Sequence, residues 1–246
     1  MEDPNAALAE MLKQRYREQT GQRVSFLKWA KKVPEPKAGK LDFDRFPFQL
    51  ELYSQAGAMD SEAVIKKSTQ LGISAFLLRF ALYHADTRRQ TALYVFPKRK
   101  QMYDFADARI KAAIMASPYL AGRIPPQSVG NKGLKQIGLG WLYARGSESK
   151  DDLDSVDADV LVLDEYDTLN QENIPDAERR ISGSQHPMIR RVGVPSLPGY
   201  GIDLLYEKTD QRRWTVKCGA CGERQYLTLR GNVDVEAATL HCTQQL

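Results

Sequence analysis

The chain has 246 residues, enough for one large α/β domain with a small appendage, and its 42% hydrophobic and 27% charged residues are typical of a soluble globular protein. Its net charge of +4 permits contact with nucleic acid without arguing for it. The longest apolar run, ISAFLLRFAL, is broken by Arg79 and is too short to span a bilayer, and the charged N-terminus lacks an apolar signal core, so we expect an intracellular protein.

The first 40 residues predict a helix followed by a linker arm. Leu8, Met11 and Leu12 favour a helix over residues 1–20, because they lie on one helical face. The stretch KKVPEPKAGKLDFDRFP is rich in Pro, Gly and Lys, which is typical of a linker. The predicted parts of the chain are therefore an arm at 1–40, a main domain at 41–212 and a small C-terminal segment at 213–246.

Within the main domain, strand patterns alternate with helix patterns. Such alternation predicts a mostly parallel sheet covered by helices on both faces. The run DVLVLDEYD predicts a fully buried strand that ends in acids. In chain order the predicted elements are a strand at 63–68, a helix at 72–86, a strand at 91–97, a helix at 98–117, one or two strands or a hairpin at 134–147, strands at 159–167 and 188–196, and a helix at 201–210.

The C-terminal segment predicts a partial zinc-ribbon-like appendage around a Cys-x-x-Cys knuckle. Cys218, Cys221 and Cys242 all lie there, and in a reducing compartment such clustering suggests a metal before a disulfide. A zinc ribbon needs four ligands, but Gln245 stands where a second knuckle would place a cysteine. His241 is a candidate fourth ligand, although adjacent ligands are strained. Zn²⁺ binding and a metal-free, partly disordered tail are both open.

The segment KSTQLGIS follows the first strand of the regular pattern and opens its first helix. Backbone N–H groups at such a junction point inward, and the positive end of the helix dipole favours phosphate. Gly72 permits close backbone approach, and Ser74 would supply a hydroxyl to Mg²⁺. The usual GxxxxGK[ST] pattern has a lysine where this chain has Ile73, so an ordinary surface loop is the alternative.

Two adjacent carboxylates, Asp164 and Glu165, follow the apolar part of DVLVLDEYD. Mg²⁺ prefers oxygen ligands and keeps several waters, so Asp164 would hold its hydration shell. Glu165 would polarise the attacking water during ATP hydrolysis, which depends on positioning more than on covalent chemistry. A strand that merely ends in a polar turn is the alternative. The order of the two motifs, each after a strand, favours an ATPase.

Together these motifs resemble the large subunit of tailed-phage DNA-packaging terminases, especially the lambda-like branch. That branch has a deviant phosphate loop with its lysine at the first position, and KSTQLGIS matches this form with Lys67. The sequence does not distinguish Lys66 beside it. The resemblance covers residues 40–230 and implies a P-loop NTPase fold of the RecA/ASCE-like type. The loop residues that it implies for ATP binding are Lys66, Lys67, Ser68, Thr69, Gln70, Leu71, Gly72, Ile73 and Ser74.

Two further segments extend the resemblance. FPFQLELY is similar to the family's adenine motif, in which Gln49 would read the adenine edge and Phe48 or Phe46 would stack on the ring. The segment VGVPSLPGYGI, residues 192–202, resembles the family's coupling motif on the strand after the acidic pair. There Ser196 would sense the γ-phosphate and transmit hydrolysis to a moving subdomain.

The resemblance also implies a ring-shaped motor. Arg145, expected on a loop before the acidic strand, resembles a trans-acting arginine that stabilises transition-state charge in a neighbouring subunit. Action in cis and a salt-bridged surface role are the alternatives. The implied function is Mg²⁺-dependent ATP hydrolysis that drives double-stranded DNA into a procapsid in the host cytoplasm during virion assembly. The implied partners are DNA, the portal protein, the small terminase subunit and further copies of the chain.

Intact large terminases also carry a C-terminal nuclease domain, for which this chain shows no sequence, so we expect no nuclease activity from it. Two other functions are open at this point. A helicase-like ATPase would share the adenine-reading glutamine and the coupling segment, but the chain shows no second RecA-like half. An inactive zinc-containing DNA-binding module would explain the displaced lysine, and it would bind ATP weakly or not at all.

Overall fold

The computed structural model describes residues 25–34, 39, 41, 43–44, 46–53, 61–234, 236–237 and 239–242. The helix predicted over residues 1–20 lies outside this part of the chain. Two compact units are distinguished, Met1–Tyr206 and Glu207–Leu246, and each is described by itself. None of the described helices is long and apolar enough to cross a membrane.

A six-stranded sheet forms the centre of the larger unit. The strands lie in the order β1-β6-β5-β2-β4-β3. Neighbouring strands run parallel except for β3 and β4, which form an antiparallel hairpin. The strands are β1 (Glu62–Lys66), β2 (Thr91–Phe96), β3 (Leu134–Ile137), β4 (Gly140–Gly146), β5 (Val160–Leu163) and β6 (Met188–Gly193).

Helices cover both faces of this sheet, as predicted. Along β2, Ala92 and Tyr94 pack into one hydrophobic core, while Leu93 and Val95 pack into a second core on the opposite face. The strand is therefore apolar throughout rather than alternating. The helices of this unit are α1 (Phe26–Ala30), α2 (Gln49–Glu51), α3 (Ile73–Arg88), α4 (Arg99–Phe105), α5 (Ala112–Ala116), α6 (Pro118–Ala121), α7 (Pro126–Val129), α8 (Lys150–Asp154), α9 (Ile174–Arg179) and α10 (Gly201–Glu207).

Short non-α turns complete these elements. A π-helical stretch, Ala106–Lys111, joins α4 to α5, so the helix predicted at 98–117 is present but changes its winding in the middle. Two 3₁₀ turns, Tyr166–Thr168 and Gln171–Asn173, follow β5. The other predicted strands and helices of the larger unit are confirmed, with ends that shift by a few residues.

The helix α3 is buried on almost all sides, since its residues pack against the sheet and against α1. Phe26 and Trp29 of α1 lie against Tyr83 of α3, with ring centroids 5.1 and 5.7 Å apart. The buried Asp86 carboxylate accepts hydrogen bonds from the Trp29 indole N–H at 2.8 Å and from Arg123 Nε at 2.7 Å. The helix α1 is thereby fixed to α3 at the centre of the larger unit.

The smaller unit consists of short elements. Two antiparallel pairs, β7 with β8 and β9 with β10, form separate two-stranded ladders. Its elements are β7 (Val216–Lys217), β8 (Arg224–Gln225), α11 (Leu229–Asn232), β9 (Val233–Asp234) and β10 (Thr239–Leu240). Short strands around the Cys-x-x-Cys segment agree with the sequence prediction.

Candidate functional site

The parallel strands β1, β5 and β6 end at the same edge of the sheet, and the predicted site residues gather there. Residues 67–72 connect β1 to α3, and Lys67 N donates to Gly193 O at the end of β6, at 3.0 Å. Gln70 and Gly72 have left-handed backbones, with φ of 61° and 74°. Such turns direct successive N–H groups into a concavity that suits an anion, and here the 16-residue helix α3 starts beside it.

Gln49 supports this loop from inside the protein. Its side chain is buried, and its Nε2 donates to Leu71 O at 2.5 Å. A Cβ atom at Gly72 would lie 2.7 Å from the same Nε2, so the loop and the glutamine fit only with glycine there. Phe48 is half-buried beside Phe46, with ring centroids 5.9 Å apart. The contacts of Gln49 and Phe48 with adenine stay predictions.

The two adjacent lysines have different partners. Lys67 Nζ lies 3.1 Å from Glu165 Oε1, and the Lys67 side chain is only 7% exposed. Lys66 Nζ instead lies 2.8 Å from Asp203 Oδ1 of α10 and 4.5 Å from the Tyr206 ring centroid. Lys66 ends β1, and the Lys67 N–H still bonds to Gly193 O of β6, so the two side chains alternate as they would along a strand. The geometry therefore joins Lys67, and not Lys66, to the acidic pair.

Asp164 is buried at the end of β5 and lies beside hydroxyl groups. Tyr94 of β2 donates to Asp164 Oδ2 at 2.8 Å, and the Ser74 side chain lies near the same carboxylate. Burial raises the pKa of Asp164, while the Tyr94 hydrogen bond, the Ser74 side chain and the charge of Lys67 oppose the rise. Burial, and then the charge of Asp164, raises the pKa of Tyr94 well above its usual value, so Tyr94 is a stable donor.

Glu165 has an uncommon backbone for a residue with a side chain. Its φ and ψ are 54° and 49°, in the left-handed region, which costs about 1–3 kcal/mol for a residue other than glycine. Its N–H donates to Asp164 Oδ1 at 3.0 Å, and its side chain is 44% exposed. The carboxylate is therefore partly open to solvent, while one of its oxygens contacts Lys67.

Ser196 is brought to the loop that follows the acidic pair. Its hydroxyl donates to Asp167 Oδ2 at 2.7 Å, and its backbone N–H donates to the same oxygen at 2.8 Å. Ser196 is exposed. The structure thus connects the predicted coupling segment with the acidic motif, while a contact with the γ-phosphate stays a prediction.

Arg145 lies within β4, so its predicted position on a loop is wrong. The strand continues to Gly146, because Arg145 and Gly146 pair with the last two residues of β2. The Arg145 guanidinium donates to Gly133 O at 2.7 Å and to Ala144 O at 2.9 Å. It lines a cavity of about 700 Å³ at the ends of β2 and β4. Its catalytic role stays a prediction.

The three cysteines of the smaller unit form a compact cluster. The Sγ atoms of Cys218, Cys221 and Cys242 lie within 4.8 Å of one another. Backbone N–H groups of Cys221 and Ala220 lower the pKa of the Cys218 thiol to about 7. His241 is directed to Thr239, with Nε2 3.3 Å from its Oγ1. The described residues therefore offer three thiol ligands, without the predicted alternative of His241 as a fourth.

Sequence reasoning missed three residues that shape the site. Tyr94 binds Asp164, Asp167 binds Ser196, and Asp203 binds Lys66. Asp167 follows the acidic pair by two positions, which was a signal in the sequence. Tyr94 and Asp203 carried none, because only the packing of β2 and α10 gives them their partners.

Comparisons with known proteins agree with this fold. The family model described as phage terminase large subunit gpA, ATPase domain, matches residues 35–244. No curated protein matches the chain. The structure is similar to the HK97 bacteriophage large terminase, with a TM-score of 0.59 and 16% identity over 76% of this chain and 42% of that one. It is also similar to the Thermus phage P74-26 large terminase ATPase domain, with a TM-score of 0.51 and 12% identity over 73% and 76% of the two chains.

These two likenesses concern the fold, and this chain spans less than half of the HK97 protein. The family match covers most of the sequence and includes the phosphate loop, the acidic pair and the cysteine cluster. It confirms the predicted family, while the lambda-like branch stays a prediction. The chain belongs to the family of ATPase domains of gpA-type phage terminase large subunits.

Proposed function

We propose that this chain is the ATPase motor domain of a large terminase, which hydrolyses ATP to move double-stranded DNA into a procapsid. The observation that carries the proposal is the contact between Lys67 of the phosphate loop and Glu165 of the acidic motif, 3.1 Å apart. A lysine at the first loop position thus reaches the acidic motif in this fold. The displaced lysine is for this reason compatible with an active site.

The residues present fit Mg²⁺. The Ser74 hydroxyl lies close enough to the Asp164 carboxylate to lower its pKa, and both groups are the hard oxygen donors that Mg²⁺ prefers. When bound, the ion would neutralise charge on the phosphate oxygens. The Tyr94 hydroxyl donates a hydrogen bond to Oδ2 of Asp164 and thereby fixes the orientation of this carboxylate.

The chain's own residues would then divide the work of hydrolysis. The backbone amides between Lys67 and Gly72 bind the phosphates. The Lys67 ammonium then leaves its ion pair with Glu165 and binds phosphate oxygens instead. Glu165, freed from this ion pair, orients the attacking water and accepts its proton. Gln49 and Phe48 hold the adenine, and Ser196 senses the γ-phosphate.

Arg145 would assist in a ring of subunits, as a group supplied to the neighbouring site. To reach outward its guanidinium must leave the carbonyl groups of Gly133 and Ala144. The motor would act in the host cytoplasm with the portal protein and the small terminase subunit. It would contact DNA through phosphates, so that binding weakens steeply with salt.

The smaller unit would bind Zn²⁺ through Cys218, Cys221 and Cys242. Thiolates are preferred zinc ligands, and three of them already lie within 4.8 Å of one another. The lowered pKa of Cys218 favours the thiolate that a metal requires. This metal would have a structural role apart from hydrolysis.

Calorimetry with Mg²⁺ and a non-hydrolysable ATP analogue tests the proposal. We expect Lys67→Ala to weaken binding at least tenfold and Lys66→Ala to change it less than threefold, because only Lys67 faces the acidic pair. Glu165→Gln should keep binding but abolish steady-state hydrolysis. Equal losses in both lysine variants would contradict the assignment of Lys67. A wild type that binds no nucleotide would favour the inactive DNA-binding module.

A further inference from the structure

The Asp167 carboxylate accepts several hydrogen bonds near the site, and the predicted mechanism does not use it. Its Oδ2 accepts both hydrogen bonds from Ser196, and its Oδ1 accepts one from Ile202 N at 2.6 Å. Gly201, with φ of 56°, would place a Cβ atom 2.3 Å from Asp167 Oδ1, so only glycine lets this backbone approach the carboxylate. Both oxygens are thus committed to residues 196–202.

The same segment is tied to the phosphate loop at its other end. Asp203 accepts from Gly199 N at 2.7 Å and from Lys66 Nζ at 2.8 Å. The Lys66 ammonium, and then Gly199, lowers the pKa of Asp203 below its usual value. Residues 196–203 therefore bond to the residue before Lys67 and to a residue shortly after Glu165.

The topology makes this double attachment possible. The segment leaves the end of β6, and β6 lies between β1 and β5 in the sheet. One chain segment can consequently reach the loops that follow both neighbouring strands. The two attachments differ in strength, because Asp203 and Lys66 form a single, partly exposed ion pair, whereas Asp167 accepts three hydrogen bonds.

Asp167 also belongs to the turn that aims Glu165. The 3₁₀ turn Tyr166–Thr168 begins directly after Glu165, whose left-handed backbone has to be held by its surroundings. Thr168 N and the Thr168 hydroxyl both donate to Glu165 O, at 2.9 and 2.7 Å. Anchoring Asp167 anchors this turn.

We propose that Asp167 is a positioning residue that fixes the Glu165 carboxylate for hydrolysis by clamping its turn to residues 196–202. The proposal rests on the proposed ATPase function and adds to it the group that joins the acidic motif to the coupling segment. Movement of residues 196–202 would reach Glu165 through this carboxylate. Nucleotide binding does not require it, because none of its bonds involves the phosphate loop.

The test compares Asp167→Asn with the control Asp154→Asn in the 246-residue chain. Asp154 is an exposed aspartate that lies 3.7 Å from Arg180 on the surface. Asparagine keeps the size of Asp167 but turns one acceptor oxygen into an N–H₂ donor. This donor would face the N–H donor of either Ser196 or Ile202, so at least one hydrogen bond is lost. We expect kcat to fall at least tenfold, the Kd of the ATP analogue to change less than threefold, and amide exchange at Ser196 and Ile202 to quicken at least tenfold. The control should change none of these.

Ser196→Ala, alone and combined with Asp167→Asn, provides a second check. If Ser196 acts through Asp167, the double variant should hydrolyse ATP as fast as Asp167→Asn alone. Full activity of Asp167→Asn would overturn the positioning role. So would a parallel loss of binding, hydrolysis and melting temperature, since that result indicates a structural role. A wild type that neither binds the ATP analogue nor hydrolyses ATP would overturn the proposed function as well, and this outcome is distinct from the other two.

Discussion

His84 is buried in the larger unit and is held neutral by its surroundings. Its Nδ1 lies 2.8 Å from Gln90 Oε1, and its ring lies 4.4 Å from that of Phe80. Burial lowers the pKa of His84 from 6.5 to about 4. Such a group binds a proton more readily in the unfolded chain than in the folded one, and the stability of the fold then depends on pH.

We expect the free energy of unfolding to fall as the pH drops from 6.5 to about 4, because only the unfolded chain protonates His84 in this window. Neutral His84 contributes at most about 3 kcal/mol to the free energy of unfolding, and this contribution is lost completely once the pH falls below the pKa of the folded state. Urea denaturation at several pH values measures it. His84→Gln should lack this part of the pH dependence, while His186→Gln, at an exposed position, should follow the wild type. Identical profiles for His84→Gln and the wild type would contradict the prediction.

Residue types at the site were readable from the sequence, but their partners were not. Lys66 and Lys67 have the same chemistry. Lys66 pairs with Asp203 and Lys67 with Glu165 only because side chains alternate at the end of β1 and because α10 lies beside Lys66. Tyr94 looked like any aromatic residue in a buried strand. Its hydroxyl gained meaning only from the pairing of β2 with β5.

The junction of β1 and α3 shows how one element depends on a single backbone conformation. Gly72 is the N-cap of α3 with φ of 74°, and the space that a side chain would need is taken by Gln49. The helix that starts there is itself firmly packed, with Phe76, Leu77 and Phe80 almost fully buried. Any change at the junction must therefore be absorbed by the loop and by Gln49.

Gly72→Ala should destabilise the fold by about 1–3 kcal/mol, because alanine is strained at positive φ and its Cβ would meet Gln49. We also expect weaker binding of the ATP analogue, since the loop must shift. Gly130→Ala is the matched control, as its Cβ would meet no atom within 4 Å, and it should stay within about 0.5 kcal/mol of the wild type. Urea denaturation and calorimetry give the two values. Equal stability of Gly72→Ala and Gly130→Ala would show that the loop tolerates a side chain.

At the scale of elements, periodicity predicted most of the sheet and its helices. Continuous apolar runs such as Val160–Leu163 identify buried parallel strands, because both faces of the sheet are covered. The π-helical winding of Ala106–Lys111 was not predictable, since its sequence fits an α-helix equally well. Arg145 lies inside the stretch 134–147 that was predicted as strands, and only its resemblance to a trans-acting arginine favoured a loop there.

The two units of the molecule reach stability by different means. The larger unit has two hydrophobic cores on either side of its sheet. The smaller unit, Glu207–Leu246, has strands of two residues each, and chains of this size usually need a metal or disulfides to fold. Its cysteine cluster is suited to this purpose. Metal removal should consequently affect one unit alone.

We expect the purified chain to contain one Zn²⁺, measured by elemental analysis, and Cys218→Ser to lose it. Removal of the metal by a chelator should speed amide exchange in residues 216–234, because metal binding and folding are coupled in such small units. Once Mg²⁺ is added back, exchange in β2 and β5, and binding of the ATP analogue, should match those of the untreated chain. Protection of residues 216–234 that persists without any metal would contradict a structural zinc site.

The strand order has a mechanical consequence. In the described part of the chain, β1 pairs with β6 alone and is an edge strand, whereas β5 has a partner on each side. The two halves of the site therefore rest on supports of unequal stiffness. Under a pulling force the phosphate loop after β1 would be displaced before the acidic pair after β5. Tension would then weaken nucleotide binding while Asp164 and Glu165 keep their positions.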